Sequence, residues 1–114
     1  MPKPPPLPPM RLLRVFESTA RLGNFSAAAE ELHTTQSSVS RAVADLERSL
    51  GTRLFDRVHR GVRLTREGDI YREAVASGFN RIGAAGARLG AEKDSPVVTA
   101  ASQGVAMLFL RPLR

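Results

Sequence analysis

Residues 26–50 constrain the fold of this chain most strongly, because they predict two short helices joined by a tight polar turn. Ser26 precedes the helix-forming run AAAEEL and is a residue type that caps helix N-termini. The polar residues at 33–35 interrupt the helical pattern, and Thr35 is suited to cap a second helix that begins at Gln36. The stretch therefore predicts a helix, a turn and a second helix in close succession.

The second of these helices has an apolar face and a hydrogen-bonding face. Its apolar residues recur at spacings of four, three and four, which places them on one side of the helix: Val39, Val43, Leu46 and Leu50. The residues that can hydrogen-bond fall elsewhere: Gln36, Ser37, Ser40 and Arg41. A helix-turn-helix reads base edges in the major groove with such residues at the start of its second helix. This stretch alone leaves open an ordinary helical hairpin with a solvent-exposed face.

The charge of the chain favours a polyanionic partner. Its 114 residues suffice for one small domain with a modest core, and they include 17 Lys and Arg against 11 Asp and Glu, a formal net charge of +6. Only Lys3 and Lys93 are lysines. Arginine presents a planar fork that suits phosphate and guanine edges, which favours nucleic acid over a membrane surface. A GC-rich genome would also enrich arginine.

Several classes of protein are disfavoured by composition. The absence of cysteine excludes disulfides, thiolate catalysis and cysteine-based zinc sites, and we predict neither a cofactor nor a metal site. No apolar run approaches the roughly 20 residues of a membrane span, and the N-terminus lacks the apolar core of a signal peptide. We therefore expect a cytoplasmic protein with no membrane partner.

The residue pattern also gives little support for a catalytic site. His33 and His59 lie in predicted turns without an apolar enclosure, and Asp45 and Glu47 point to different sides of a helix. No glycine-rich phosphate loop follows a predicted strand. We therefore expect a binding protein rather than an enzyme, either a sequence-specific regulator or a non-specific architectural DNA-binding protein.

The first 25 residues predict a leader and one further helix. Six of the eight prolines fall in residues 2–9, which read as a polyproline II arm: a mobile leader or, alternatively, a ligand for a proline-binding domain. Residues 10–22 form an amphipathic helix that Gly23 and Asn24 end. The predicted core of the resulting three-helix domain consists of Phe16, Phe25, Leu32, Val39, Val43 and Leu46.

A two-stranded hairpin, or wing, is predicted after Gly51 ends the third helix. Apolar residues alternate at Val62 and Leu64, and residues 59–61 form a turn in which Gly61 suits the positive φ that a hairpin needs. The hairpin region carries four arginines: Arg53, Arg57, Arg60 and Arg63. A basic wing beside a helix-turn-helix can follow phosphates or enter the minor groove.

A long helix is predicted from residue 66 to 90, with Thr65 as its cap and Glu67 in its first turn. A seam of residues spaced four and three apart runs along it: Tyr71, Val75, Gly78, Ile82, Ala85 and Leu89. Such a seam is typical of helices that pair, so we expect a homodimer. Packing on its own domain is the alternative. Residues 91–114 would then form a linker and the truncated start of a second domain, with one strand and the beginning of a helix.

Three segments together resemble the DNA-binding domain of the LysR-type bacterial transcriptional regulators: residues 12–17, residues 24–57 with TQSSVSR and LERSLGTRLFDR, and the hairpin ending GVRLTREG at residues 61–68. The proline-rich leader resembles the subgroup related to the glycine-cleavage activator and β-lactamase regulators. The resemblance implies a winged helix-turn-helix over residues 8–65, then a linker helix that pairs two such domains. It also implies an effector-binding domain, begun by residues 97–102.

The resemblance further implies which residues contact double-stranded DNA. The recognition helix would present its polar residues to bases or phosphates, Ser26 would face a phosphate, and Arg60 would enter the minor groove. Ser37 departs from the proline common at its position. The full set of candidates is Ser26, Thr35, Gln36, Ser37, Ser38, Ser40, Arg41, Arg53, Arg57, Arg60 and Arg63. A small-molecule inducer would act only through a domain missing from this chain, and a full-length protein could form tetramers.

Overall fold

The computed structural model of the protein describes residue 3 and residues 6–93, within which it has four helices and one two-stranded sheet. In chain order the elements are α1 (Met10–Leu22), α2 (Phe25–Glu31), α3 (Gln36–Leu50), β1 (Phe55–Val58), β2 (Gly61–Leu64) and α4 (Arg66–Lys93). This order confirms the predicted winged helix-turn-helix, which is mainly helical. The chain divides into two compact units, Met1–Ser77 and Gly78–Arg114, which are described separately.

The junction between α1 and α2 is set by two adjacent residues. Gly23 ends α1 in the left-handed conformation, with φ of 80°, and its N–H donates to the Thr19 carbonyl oxygen at 2.8 Å. Asn24 then caps α2, because its Oδ1 accepts the N–H of Ala27 at 2.6 Å. The prediction that Ser26 caps this helix is therefore wrong, and Ser26 lies in the first turn of α2.

Both ends of α3 match the prediction. Thr35 is the N-cap, since its Oγ1 accepts the Ser38 N–H at 3.1 Å. Gly51 ends the helix with φ of 72° and donates its N–H to the Glu47 carbonyl oxygen at 2.8 Å. The turn before α3 contains His33 in the left-handed region, with φ of 57°. This turn gives the short helix–turn–helix connection.

The core of the first unit lies between α1, α2, α3 and the start of β1. The predicted core residues are buried except Leu32, which is half-buried because it is the C-cap of α2 and sits at the turn. The Phe16 side chain is fully buried, and its ring centroid lies 5.5 Å from those of Phe55 and Tyr71. Aromatic packing therefore joins α1 to the wing and to the start of α4.

A charged cluster on the surface connects α1 to the end of α2. Arg21 bridges Glu17, at 2.9 Å, and Glu31, which also accepts a hydrogen bond from the Ser18 hydroxyl at 2.9 Å. The hydrogen bond from Arg21 is the main cause of the lowered pKa of Glu31. A lowered folded-state pKa means that this stabilisation is present above the ordinary carboxylate pKa and is lost as pH falls through the lowered value.

The wing is an antiparallel hairpin in which Phe55 pairs with Leu64 and Val58 with Gly61. Its positive φ lies at Arg60, at 69°, and not at Gly61, which corrects the prediction for the turn. Gly61 is needed for space instead, because a Cβ there would lie 2.4 Å from the Gly23 carbonyl oxygen. The next residue, Val62, donates its N–H to that same oxygen at 3.0 Å. The hairpin is thus held against the end of α1.

Helix α4 begins as predicted at the Thr65 cap, whose Oγ1 accepts the Gly68 N–H at 2.9 Å, and it continues to Lys93, past the predicted end at residue 90. Tyr71 packs on Phe16, and Val75 is buried. The alternative that the seam packs on its own domain therefore holds for these two residues. The strand and helix predicted for residues 97–114 lie outside the described residues, as do residues 1, 2, 4 and 5 of the proline-rich leader.

The second unit contains the rest of the predicted seam. Ile82 and Leu89 are 65% and 63% exposed. Ala85 is also exposed and Gly78 is half-buried. Four seam residues therefore remain as candidates for contact with another chain, and two of them are large apolar side chains that face solvent.

Replacing each of two glycines of α4 by alanine should change the stability of the fold in opposite directions. A Cβ at Gly68 would lie 2.0 Å from the Leu54 carbonyl oxygen, whereas at Gly83 no described atom outside the helix's own backbone lies within 4 Å. We expect Gly68→Ala to destabilise the fold by about 1–3 kcal/mol, because backbone must shift. Gly83→Ala should stabilise the helix by up to about 1 kcal/mol. Urea unfolding followed by circular dichroism measures both, and a Gly68→Ala protein as stable as wild type would contradict the packing described.

Candidate nucleic-acid interface

The first turns of α3 present a row of polar side chains to solvent. Gln36, Ser37, Ser38 and Arg41 are exposed and Ser40 is half-buried. The opposite face is buried at Val39, Ala42, Val43 and Leu46. The periodicity that buries the apolar face therefore orients the predicted DNA-contacting residues of α3 outward together.

The Thr35 side chain caps the N-terminus of α3. Its Oγ1 accepts the Ser38 N–H at 3.1 Å and lies 3.3 Å from the Ser37 hydroxyl. The side chain of this candidate contact is therefore engaged in capping, which fixes where the first turn of α3 begins. Ser37 also contributes a backbone N–H near this end, which a proline at its position would lack.

Ser26 and Gln36 meet although ten residues separate them in sequence. Ser26 is in the first turn of α2 and Gln36 is the first residue of α3, and the Ser26 hydroxyl donates to Gln36 Oε1 at 3.1 Å. Both side chains are exposed. The structure therefore brings two predicted site residues from different helices into one small polar cluster.

The wing brings four arginines to the surface, and all four are exposed. Arg53 precedes β1 and donates from Nη2 to the Phe55 carbonyl oxygen at 3.0 Å and to Asp56 Oδ1 at 3.2 Å. The Arg57 guanidinium lies over the Phe25 ring, 5.1 Å from its centroid. These contacts hold two of the cations in defined positions, and the second lies beside the start of α2.

The other two arginines occupy the tip and the second strand of the hairpin. Arg60 is at the turn, in the left-handed conformation. Arg63 is on β2, directly opposite Asp56 in the strand register. Asp56 thus faces Arg63 across the strands and pairs with Arg53, so one carboxylate partly offsets the positive charge at the base of the wing.

Glu47 connects the recognition helix α3 to the wing. Its Oε2 accepts the N–H of Leu54 at 2.7 Å and that of Phe55 at 3.2 Å. Leu54 and Phe55 are 1% and 5% exposed, so water has little access to these backbone groups. The carboxylate therefore satisfies two backbone donors that would otherwise be unpaired, and it fixes the wing relative to α3.

Residue patterns alone did not identify Glu47, Asn24 or the role of Gly61. Glu47 acts on backbone groups seven and eight residues away, and no local pattern signals that contact. Asn24 could have been found, since an asparagine that directly follows a helix-ending glycine and precedes a helical run is a common N-cap. Gly61 contacts Gly23 across the fold, which only the tertiary structure shows.

Within residues 6–93, no three acidic or histidine side chains cluster as a metal site would require. In the same range, no helix combines the length and the apolar character needed to cross a membrane.

One protein-family model matches most of the first unit. The model of the bacterial regulatory helix-turn-helix proteins of the lysR family matches residues 10–69. These residues include α1, α2, α3, the wing and the first residues of α4.

Curated relatives share this region and continue beyond it. The chain is 38% identical over 104 residues to the HTH-type transcriptional regulator PerR of Escherichia coli, covering 91% of this chain and 35% of the relative. It is 49% identical over 76 residues to TrpI of Pseudomonas aeruginosa, covering 67% of this chain and 26% of the relative. It is 40% identical over 93 residues to the glycine cleavage system transcriptional activator of Escherichia coli, covering 82% and 30%. The chain thus spans about a third or less of each relative.

Solved structures of DNA-binding domains are also similar to this chain. The DNA-binding domain of CbnR, in complex with DNA, superposes with a TM-score of 0.64 at 36% identity, over 73% of this chain and 95% of that chain. The DNA-binding domain of BenM, in complex with catB site 1 DNA, gives a TM-score of 0.66 at 28% identity, over 70% and 89%. The fold of this chain is therefore similar to that of domains solved on DNA.

Two neighbouring acidic residues of α3 should differ sharply in their effect on stability. Glu47→Ala leaves two buried backbone N–H groups without an acceptor, and we expect a loss of about 1–3 kcal/mol. Asp45→Ala is the matched control, because Asp45 pairs with Arg48 at the surface, where such a pair contributes about 0–1 kcal/mol. Equal effects of the two substitutions on urea unfolding would contradict the role of Glu47.

Proposed function

The chain belongs to the lysR family of bacterial regulatory helix-turn-helix proteins, and we propose that it is the DNA-binding part of a sequence-specific transcriptional regulator. The observation that carries the proposal is the exposed polar start of α3, held in fixed relation to a wing with four exposed arginines. The two solved DNA complexes that the chain resembles support double-stranded DNA as the ligand.

The proposed division of roles follows from position in the fold. Residues on the recognition helix, Gln36–Leu50, enter the major groove and read base edges: Gln36, Ser37, Ser38, Ser40 and Arg41. Thr35 and Ser26 lie beside that helix start, near the phosphate backbone. Arg53, Arg57 and Arg63 contact phosphates, and Arg60 at the wing tip enters the minor groove. The formal net charge of +6 supports this electrostatic component of affinity.

We further propose that the regulator binds as a homodimer through the second unit. Ile82 and Leu89 are exposed apolar residues in register with Gly78 and Ala85, and the two small residues would let a partner helix approach closely. Two DNA-binding units held together gain affinity for paired half-sites through effective concentration. Tetramers of a longer protein are compatible with this arrangement.

The remaining parts of the proposal concern the longer regulator. A small-molecule inducer would bind a domain beyond this chain, as the greater length of the relatives suggests. Action on bacterial DNA places the protein in the cytoplasm, at the nucleoid. No catalytic step is assigned, since His33 and His59 are exposed and the acidic residues of α3 are engaged in structural contacts.

Substitution of one arginine on each surface tests the division of roles. We expect Arg41→Ala to relax the base preference at one position of each half-site, because a good arginine–guanine pair discriminates by about 1–3 kcal/mol. Arg63→Ala should weaken binding to all sequences alike and reduce the slope of log K against log salt by about one. Binding-site selection and salt titration on both variants provide the measurements.

Two outcomes would contradict these assignments. If Arg41→Ala retains the wild-type motif at lower affinity, Arg41 is only a phosphate contact. If the wild-type protein binds random DNA as tightly as any selected sequence, the chain is a non-specific architectural protein and not a regulator.

The dimer proposal is tested by a charge placed in the exposed seam. Ile82→Asp would bury an unpaired carboxylate in the proposed interface, which is strongly unfavourable, so the variant should be monomeric and bind paired half-sites weakly. Ala84→Asp is the control, because Ala84 is exposed and lies off the seam. Sedimentation should find wild type and Ala84→Asp dimeric. A monomeric wild type at high micromolar concentration, or a dimeric Ile82→Asp, would refute the interface.

A further inference from the structure

We propose that Ser26 is a positioning residue that orients the side-chain amide of Gln36 and thereby decides which base edge Gln36 reads. This inference rests on the proposed function, because it concerns how the same DNA-binding surface selects its sequence. It differs from the expectation, implied by family resemblance, that Ser26 serves as a phosphate contact.

The geometry places the two side chains at adjoining helix starts. Ser26 lies in the first turn of α2, just after the Asn24 cap, and Gln36 opens α3 just after the Thr35 cap. The Ser26 hydroxyl donates to Gln36 Oε1 at 3.1 Å. Among residues 6–93, this is the hydrogen bond that holds the Gln36 amide, since the neighbouring Thr35 hydroxyl is engaged with the Ser38 N–H.

The hydrogen-bonding capacity of the two side chains shows what this contact changes. A serine hydroxyl has one proton, so while it donates to Gln36 it cannot donate to a phosphate. The same hydrogen bond takes one of the two lone pairs of the Gln36 carbonyl oxygen and turns that oxygen toward Ser26. The amide group of Gln36 then presents its two N–H donors outward, and its acceptor is no longer equally available to a base.

A glutamine amide that is held with its N–H groups outward pairs with different base edges in the major groove than an amide that is free to rotate. A glutamine that uses both its oxygen and its nitrogen pairs with the N6 donor and N7 acceptor of adenine. A glutamine that offers chiefly its donors fits edges rich in acceptors, namely O6 and N7 of guanine or O4 of thymine. The Ser26 contact therefore biases Gln36 away from adenine and toward guanine or thymine.

Binding-site selection with the full chain tests the inference. The proteins compared are wild type, Ser26→Ala, Ser26→Thr, Gln36→Ala and the double variant Ser26→Ala/Gln36→Ala. In wild type, the position that loses its preference in Gln36→Ala should favour guanine or thymine. Ser26→Ala should shift that position toward adenine by roughly tenfold. Ser26→Thr keeps a hydroxyl and should restore the wild-type preference.

The double variant separates positioning from direct contact. If Ser26 acts through Gln36, removing Ser26 should change no base preference once Gln36 is alanine. Thermal unfolding accompanies the selection, and Ser26→Ala should keep wild-type stability because Asn24 caps α2 and alanine is a good helix former.

Several results would overturn the inference. Ser26→Ala with an unchanged motif and lower affinity for every sequence would make Ser26 a phosphate contact. A wild-type preference for adenine at the Gln36-dependent position would also refute it. A wild type without any sequence preference would instead overturn the proposed function, and this inference with it, so the two failures are distinguishable.

Discussion

The backbone of Leu54 joins the parts of the DNA-binding unit to one another. Its N–H donates to the Glu47 carboxylate of α3, and its carbonyl oxygen accepts the Thr65 N–H at the start of α4, at 2.9 Å. Gly68 packs against the same carbonyl so closely that a Cβ would not fit. Leu54 is 1% exposed, so these backbone groups depend on their protein partners. Recognition helix, wing and the start of α4 therefore converge on one buried residue.

This convergence has a consequence for DNA recognition. The hairpin is fixed at its base by Glu47 and near its tip by the hydrogen bond from Val62 to Gly23. An arginine on such a hairpin keeps a defined distance from the residues of α3 that we propose to read bases. Contacts to phosphates can then set the register of the recognition helix on the duplex, which is how non-specific contacts contribute to specific binding. The same number of arginines on a flexible segment would add affinity without setting that register.

Much of this fold could be predicted from local patterns, and the exceptions other than the Asn24 cap share a physical cause. Apolar spacing identified the buried face of α3, and hydroxyl residues before helical runs identified the caps Thr35 and Thr65. The patterns failed where a distant partner decides. Gly61 is required because a Cβ there would meet the Gly23 carbonyl oxygen, and Tyr71 packs on Phe16, more than fifty residues away in sequence.

The candidate site was also predictable from sequence only in part. Sequence alone predicted which residues of α3 lie away from the core, because helical periodicity separates them from the buried face. It could not predict the hydrogen bond between Ser26 and Gln36, or the position of the Arg57 guanidinium over Phe25. These contacts depend on the angle at which α2 meets α3 and the wing, and that angle is set by packing of the whole first unit.

A double-mutant cycle in DNA affinity most directly tests whether the wing and the recognition helix act as one unit. The four proteins are wild type, Glu47→Ala, Arg63→Ala and the double variant, all measured on the selected operator under conditions where each is folded. If Glu47 holds the wing in place, Arg63→Ala should cost much less affinity in the Glu47→Ala background, with a coupling of about 0.5–3 kcal/mol. Additive losses, with no coupling beyond about 0.5 kcal/mol, would contradict this account.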